Sequence, residues 1–152
     1  MGALLVDTVF RWLHVGSAIV LLGGTVFMRF VLMPQADKLD PQAHEQLRGD
    51  VLRTWKIFVH AGVSLLLISG LYNYIFVMIP KHKGDSLYHA MMGIKILLGL
   101  GVIFLGSVMV GRSSMFDKLR ENRKMWLLVL VAAATVVVAI SGFLKVRGIP
   151  SP

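Results

Sequence analysis

The sequence of 152 residues contains no cysteine. That absence excludes disulfides, thiolate metal sites, iron–sulfur clusters and cysteine nucleophiles. Charge is also scarce. Charged residues make up 16% of the chain, where an ordinary soluble domain carries about 25%. Acidic residues are the scarcest charged class, with 8 Asp and Glu against 16 Lys and Arg.

What is present is apolar: 56% of residues are hydrophobic and the mean hydropathy is +0.73. Disorder is excluded by that composition, and one soluble core could not bury so much apolar surface in so short a chain. The sequence is that of a polytopic membrane protein. Its net charge of +8 would suit a nucleic-acid partner in a soluble chain, yet no basic stripe with interleaved aromatics occurs. In a membrane protein the same excess reflects basic cytoplasmic loops.

A spanning helix needs roughly 20 mostly apolar residues, and four stretches qualify: about 8–33, 54–79, 87–111 and 125–144. Pro34 and Pro80 fall just past the first two, where proline can stop a helix. The first stretch is too long for a signal peptide, lacks a small-residue cleavage site and is followed by further spans. The expected fold is therefore all-α, a single transmembrane domain over 1–152 forming a left-handed four-helix bundle. Arg29, Lys38, Arg48, Arg53, Lys56, Arg112, Lys118, Arg120, Arg123 and Lys124 lie on or beside the face of the 1–2 and 3–4 loops. Arg11, Lys81, Lys83, Lys145 and Arg147 lie on the other. The positive-inside rule places both loops in the cytoplasm and both termini outside, in the cell inner membrane. The 1–2 loop, Gln35 to Arg53, is polar and is expected to carry a short surface helix after Asp40-Pro41. Small residues recur seven apart (Gly16 and Gly23, Gly62 and Ser69, Gly99 and Gly106, Ala132 and Ala139), a spacing that suits a packing seam.

An ionisable residue inside a span costs roughly 2.5–3.5 kcal/mol on insertion scales and is a functional-site hypothesis by default. His14, His60, His89 and Lys95 are such residues, and no predicted span contains an acid to pair with them. At 1.5 Å per residue His14 is expected about 9 Å, and His89 about 3 Å, below the external face. His60 enters from the opposite side. Two neutral imidazoles between helices suit a b-type haem, each ligating through Nε2, and they also suit copper. Equally, a membrane histidine can hydrogen-bond a backbone carbonyl or a serine on a neighbouring helix. Met28, Met33, Met109 and Met115 with His60 form a conceivable soft copper path, although methionine is also an ordinary apolar filler. Lys95 lies too deep to snorkel comfortably; a haem propionate, proton donation or ligation as the free amine are its candidate roles. Arg11, one turn from His14, could meet an external propionate. Tyr72, Asn73, Tyr74, Tyr88 and Trp12 gather at the external end as interface anchors or hydrogen-bond partners of a ligand histidine. No nucleophile–base spacing and no phosphate-cradling loop is present.

Several motifs carry a family resemblance. Arg11-Trp12-Leu13-His14-Val15 and Leu22-Gly23-Gly24 stand in the first span, Ser69-Gly70-Leu71-Tyr72-Asn73 in the second, and Tyr88-His89-Ala90-Met91-Met92-Gly93-Ile94-Lys95 with Gly111-Arg112 in and after the third. From about residue 8 to 145 the chain resembles the CopD-like four-helix membrane proteins, named after the copper-resistance protein D domain. More distantly it resembles the HemJ family, membrane protoporphyrinogen oxidases that bind haem b. On that resemblance His14 matches the haem-ligand histidine and Lys95 the functionally important lysine. The HemJ segment of Arg-x-x-Asn-Glu-x-Pro type is replaced here by Leu119-Arg120-Glu121-Asn122-Arg123-Lys124-Met125-Trp126, without the proline. The resulting expectation is a haem b-binding redox protein, a membrane oxidoreductase or electron-transfer protein. His14 and His89 are its axial ligands, and Lys95 and Arg11 anchor or tune the haem. A copper-binding or copper-transporting protein using His14, His89 and His60 with methionine is the alternative. Expected partners are the lipid bilayer, a membrane or periplasmic redox protein and a second copy of the chain, with no nucleic acid.

Overall fold

Asp40 decides where the second long helix begins. In the computed structural model, which describes residues 1–148, its carboxylate accepts from Gln42 N at 3.1 Å and Ala43 N at 3.0 Å. Pro41 follows as the first helical residue, where its missing N–H costs nothing. The helix that starts there is unbroken to Lys81. The separate surface helix expected between residues 35 and 53 is thus the first turns of the second spanning helix. Nothing stops it: after Pro41 the weakest helix former before the apolar run is Gly49, worth about 1 kcal/mol.

Four helices are long and apolar enough to cross a membrane: α1 (Gly2–Ala36), α2 (Pro41–Lys81), α3 (Ser86–Val110) and α5 (Arg123–Arg147). The short α4 (Asp117–Glu121) lies in the connection between α3 and α5, and no strand occurs among the described residues. This is the all-α architecture of a multi-pass membrane protein. At 1.5 Å per residue α1 and α2 are about 52 and 61 Å long, well beyond a hydrocarbon slab of about 30 Å.

Pro34 and Pro80 lie inside these helices rather than past their ends. Each is preceded by a π-helical stretch, Met28–Leu32 and Asn73–Met78. A helical proline removes one hydrogen bond and crowds the carbonyl four residues back, here Phe30 and Phe76. The wider π turn absorbs that crowding and lets the helix continue.

Sequential neighbours pack most closely, α1 on α2 and α3 on α5, and the ring is closed by α2 against α3 and α1 against α5. Tyr88, Met92 and Leu144 form one apolar cluster of the α3–α5 seam, and Val108, Met109 and Leu127 the other. Outward-facing Leu, Ile, Val and Phe stand exposed along all four long helices, as lipid-facing side chains do.

Of the small residues seven apart, Gly62 and Ser69 lie in a seam: Gly62 meets Leu21, and Ser69 is 1% exposed. Gly106 faces Leu130. Gly16, Gly23 and Gly99 face open space, and Ala132 and Ala139 are exposed. The most crowded glycine is instead Gly24 on α1, where a Cβ would stand 2.1 Å from the Trp55 indole of α2.

Candidate functional site

The His14 ring lies against α2. Its Nδ1 is 3.1 Å from the Leu66 carbonyl and 3.2 Å from Ser69 Oγ. A carbonyl only accepts, and the Ser69 hydroxyl gives its own proton to the Leu65 carbonyl at 2.5 Å. Nδ1 must therefore carry the hydrogen, which leaves the Nε2 lone pair of the neutral ring without a proton. Room for the ring comes from Gly70: a Cβ there would lie 2.9 Å from His14 Cε1. The hydrogen bond to a carbonyl and a serine on the neighbouring helix was one of the sequence alternatives. A carbonyl accepting from the other ring nitrogen is also what orients a metal-ligating imidazole.

Across the bundle, Lys95 on α3 is half-buried and lies within electrostatic reach of His14. Among the described residues it has no hydrogen-bond or ion-pair partner. Helix α1 begins at Gly2 rather than near Thr8, which brings Asp7 into the helix. That acid accepts from Tyr72 Oη at 2.9 Å, beneath the stacked Phe10 and Tyr72 rings, and not from Lys95.

His89 is not brought to His14. Its Nε2 donates to the His82 carbonyl at 3.0 Å, just past the end of α2. His14 is level with Ser69, 13 residues back along α2, so the two imidazoles differ in depth by about 20 Å. The similar depths expected from the sequence rested on the predicted span ends, which lie elsewhere. The charge within reach of His14 is thus that of Lys95, and His89 lies apart.

The remaining candidates are dispersed. His60 is exposed, with Nδ1 bonded to its own helix at the Lys56 carbonyl, 2.7 Å away. Met33 packs with the Met109 cluster, Met28 is buried and Met115 is 81% exposed. Among the described residues no group of three His, Cys, Asp or Glu is arranged to hold a metal ion. Arg11 and Trp12 are exposed. Asn73 Nδ2 donates to the Phe10 and Ser69 carbonyls, and Tyr88 stacks on His82 with ring centroids 3.5 Å apart; neither contacts a candidate ligand nitrogen of His14.

Sequence reasoning passed over one polar centre. Asp85 caps the start of α3 through Tyr88 N at 3.0 Å and receives both Arg147 amino groups, at 2.7 and 3.0 Å. The Arg147 guanidinium, assisted by Tyr88 N–H and His82, holds the Asp85 carboxyl far below the ordinary carboxylate range. Gly84, at φ +80°, shapes the preceding turn. An Asp immediately before an apolar run is a helix-capping signal, and topology puts the end of α5 on the same side, so the pair was findable.

No family model matches the chain, and neither does any curated protein or solved structure.

Proposed function

We propose that the protein is a haem b-binding redox protein of the membrane, with His14 Nε2 as an axial ligand. One observation carries this reading: the Leu66 carbonyl and Ser69 hydroxyl hold His14 in the tautomer whose Nε2 can bind iron. The His14 donor therefore fits the group. His89 in this arrangement does not, because its Nε2 is committed to the His82 carbonyl; it completes a bis-histidine site only by leaving that carbonyl and moving inward.

A bound haem would supply one-electron chemistry inside the slab. Leu66 and Ser69 orient the imidazole, Gly70 leaves room for its ring, and the Lys95 ammonium would offer a counter-charge to a propionate. The CopD-like and HemJ-like resemblance supports the same reading, and the excess of basic residues beside the 1–2 and 3–4 connections supports an inner-membrane placement with the termini outside.

The test is an absorbance spectrum of protein purified from haem-replete cells, before and after dithionite, together with metal analysis. A Soret band and reduced α and β bands of b type are expected, lost in His14→Ala. Ser69→Ala should keep the haem but move its reduction potential, since the imidazole loses one acceptor. His89→Ala decides the second ligand: a change from a low-spin to a high-spin spectrum assigns it to His89. Colourless protein sinks the proposal, and stoichiometric copper in its place favours the copper alternative.

A further inference from the structure

At the end of the bundle that carries the 1–2 and 3–4 connections, α1, α2 and α5 bring cations together. Arg29 Nε donates to the Lys124 carbonyl at 2.8 Å, and Lys124 Nζ pairs with Asp37 at 2.5 Å. Arg48 reaches Glu45 at 3.3 Å in an exposed pair. Arg123 has neither kind of partner. Its Nε is shielded from water and unbonded, the only buried side-chain nitrogen or oxygen among the described residues left so. The Arg48 guanidinium lies within electrostatic reach and repels it. Asp37 and Glu45 are thus already taken, by Lys124 and Arg48, and neither reaches Arg123.

A desolvated, unbonded guanidinium donor with a second cation within electrostatic reach is unfavourable unless an anion joins them. The guanidinium edge sets Nε–H and one Nη–H side by side, the spacing of two phosphate oxygens. Basic pockets between spanning helices at a bilayer boundary take anionic headgroups for this reason. We propose that Arg123 and Arg48, with Arg29 at the rim, form a binding site for an anionic phosphate group. A change of side-chain rotamer turns Arg123 Nε toward that group. The phosphate belongs either to an anionic phospholipid or to the inorganic ion. A choline-capped phosphate is disfavoured, since its ammonium meets the surrounding cations.

The experiment is thermal unfolding of the full chain in uncharged detergent with phosphatidylglycerol, phosphatidylcholine or inorganic phosphate added. Phosphatidylglycerol is expected to raise the midpoint and phosphatidylcholine to leave it unchanged. Arg123→Gln and Arg48→Gln should each abolish the rise, while Arg53→Gln keeps it. A rise with inorganic phosphate of the same size assigns the site to the free ion. No rise with either anion, or a rise that survives both substitutions, overturns the proposal. Phenylglyoxal labelling of the unmodified protein, read by peptide mass spectrometry, does not depend on the variants folding. The effective anion must protect Arg48 and Arg123, and labelling unchanged at both would equally overturn the site.

Discussion

The two helix pairs of this bundle are held together in different ways. Between α1 and α2 the contacts are large side chains set against glycine: Trp55 on Gly24, Leu21 on Gly62 and His14 on Gly70. Between α3 and α5 they are apolar side chains meeting one another, with a carboxylate–guanidinium pair clamping one end. In lipid the hydrophobic effect does not drive helices together, so close packing and interhelical hydrogen bonds must. The glycine-lined pair admits an imidazole into its seam, whereas the ring in the α3–α5 seam is the Tyr88 phenol. The histidine with the best-placed free nitrogen is accordingly on α1.

That contrast can be broken at three places. The largest effect is expected at Gly24→Ala, where the new Cβ would stand 2.1 Å from Trp55. Overpacking of this kind costs about 1–3 kcal/mol, read as a fall in unfolding free energy in detergent. A fall no larger than that of a surface substitution would mean that Trp55 moves aside freely.

The next is the pH response of the α3–α5 clamp. The Asp85 carboxyl is held below its ordinary value of 3.8 in the folded protein. Its contribution is therefore complete above that ordinary value and is lost as pH falls through the depressed folded value. Asp85→Asn should destabilise equally at pH 7 and pH 5, with the gap to the unmodified protein closing only below about pH 4. Unfolding midpoints across that range check the sign, and a gap that widens with acid would refute it.

The smallest effect is expected at Gly106→Ala on α3. Its Cβ would lie 3.6 Å from Leu130, an ordinary contact, so the change should stay within about 0.5 kcal/mol. If Gly106→Ala proved as costly as Gly24→Ala, the distinction between the two pairs would fail.

Hydropathy alone revealed four spans because each apolar run exceeds the bilayer thickness. Their ends were misjudged for local reasons. Pro34 and Pro80 read as stops, yet preceding π turns carry the helices through them. The polar stretch from Pro41 to Arg53 read as a separate short surface helix, although nothing in it ends the helix that begins there. Those ends mattered for the site, since the depths of His14 and His89 were counted from them. The serine at position 69 was legible as a small seam residue, but not as the acceptor that fixes a tautomer. That role depends on which residue of α1 arrives opposite it.

Composition and apolar run length determined, without any structure, that this chain is a membrane bundle of four helices with ionisable groups stranded inside. Both follow from the cost of exposing polar groups to hydrocarbon, a property of each segment by itself. Which of those groups meet was decided only in the tertiary structure. Pairing across helices depends on rotation, register and the room a glycine leaves, and those placed His14 beside Ser69 and within electrostatic reach of Lys95, and His89 beside His82.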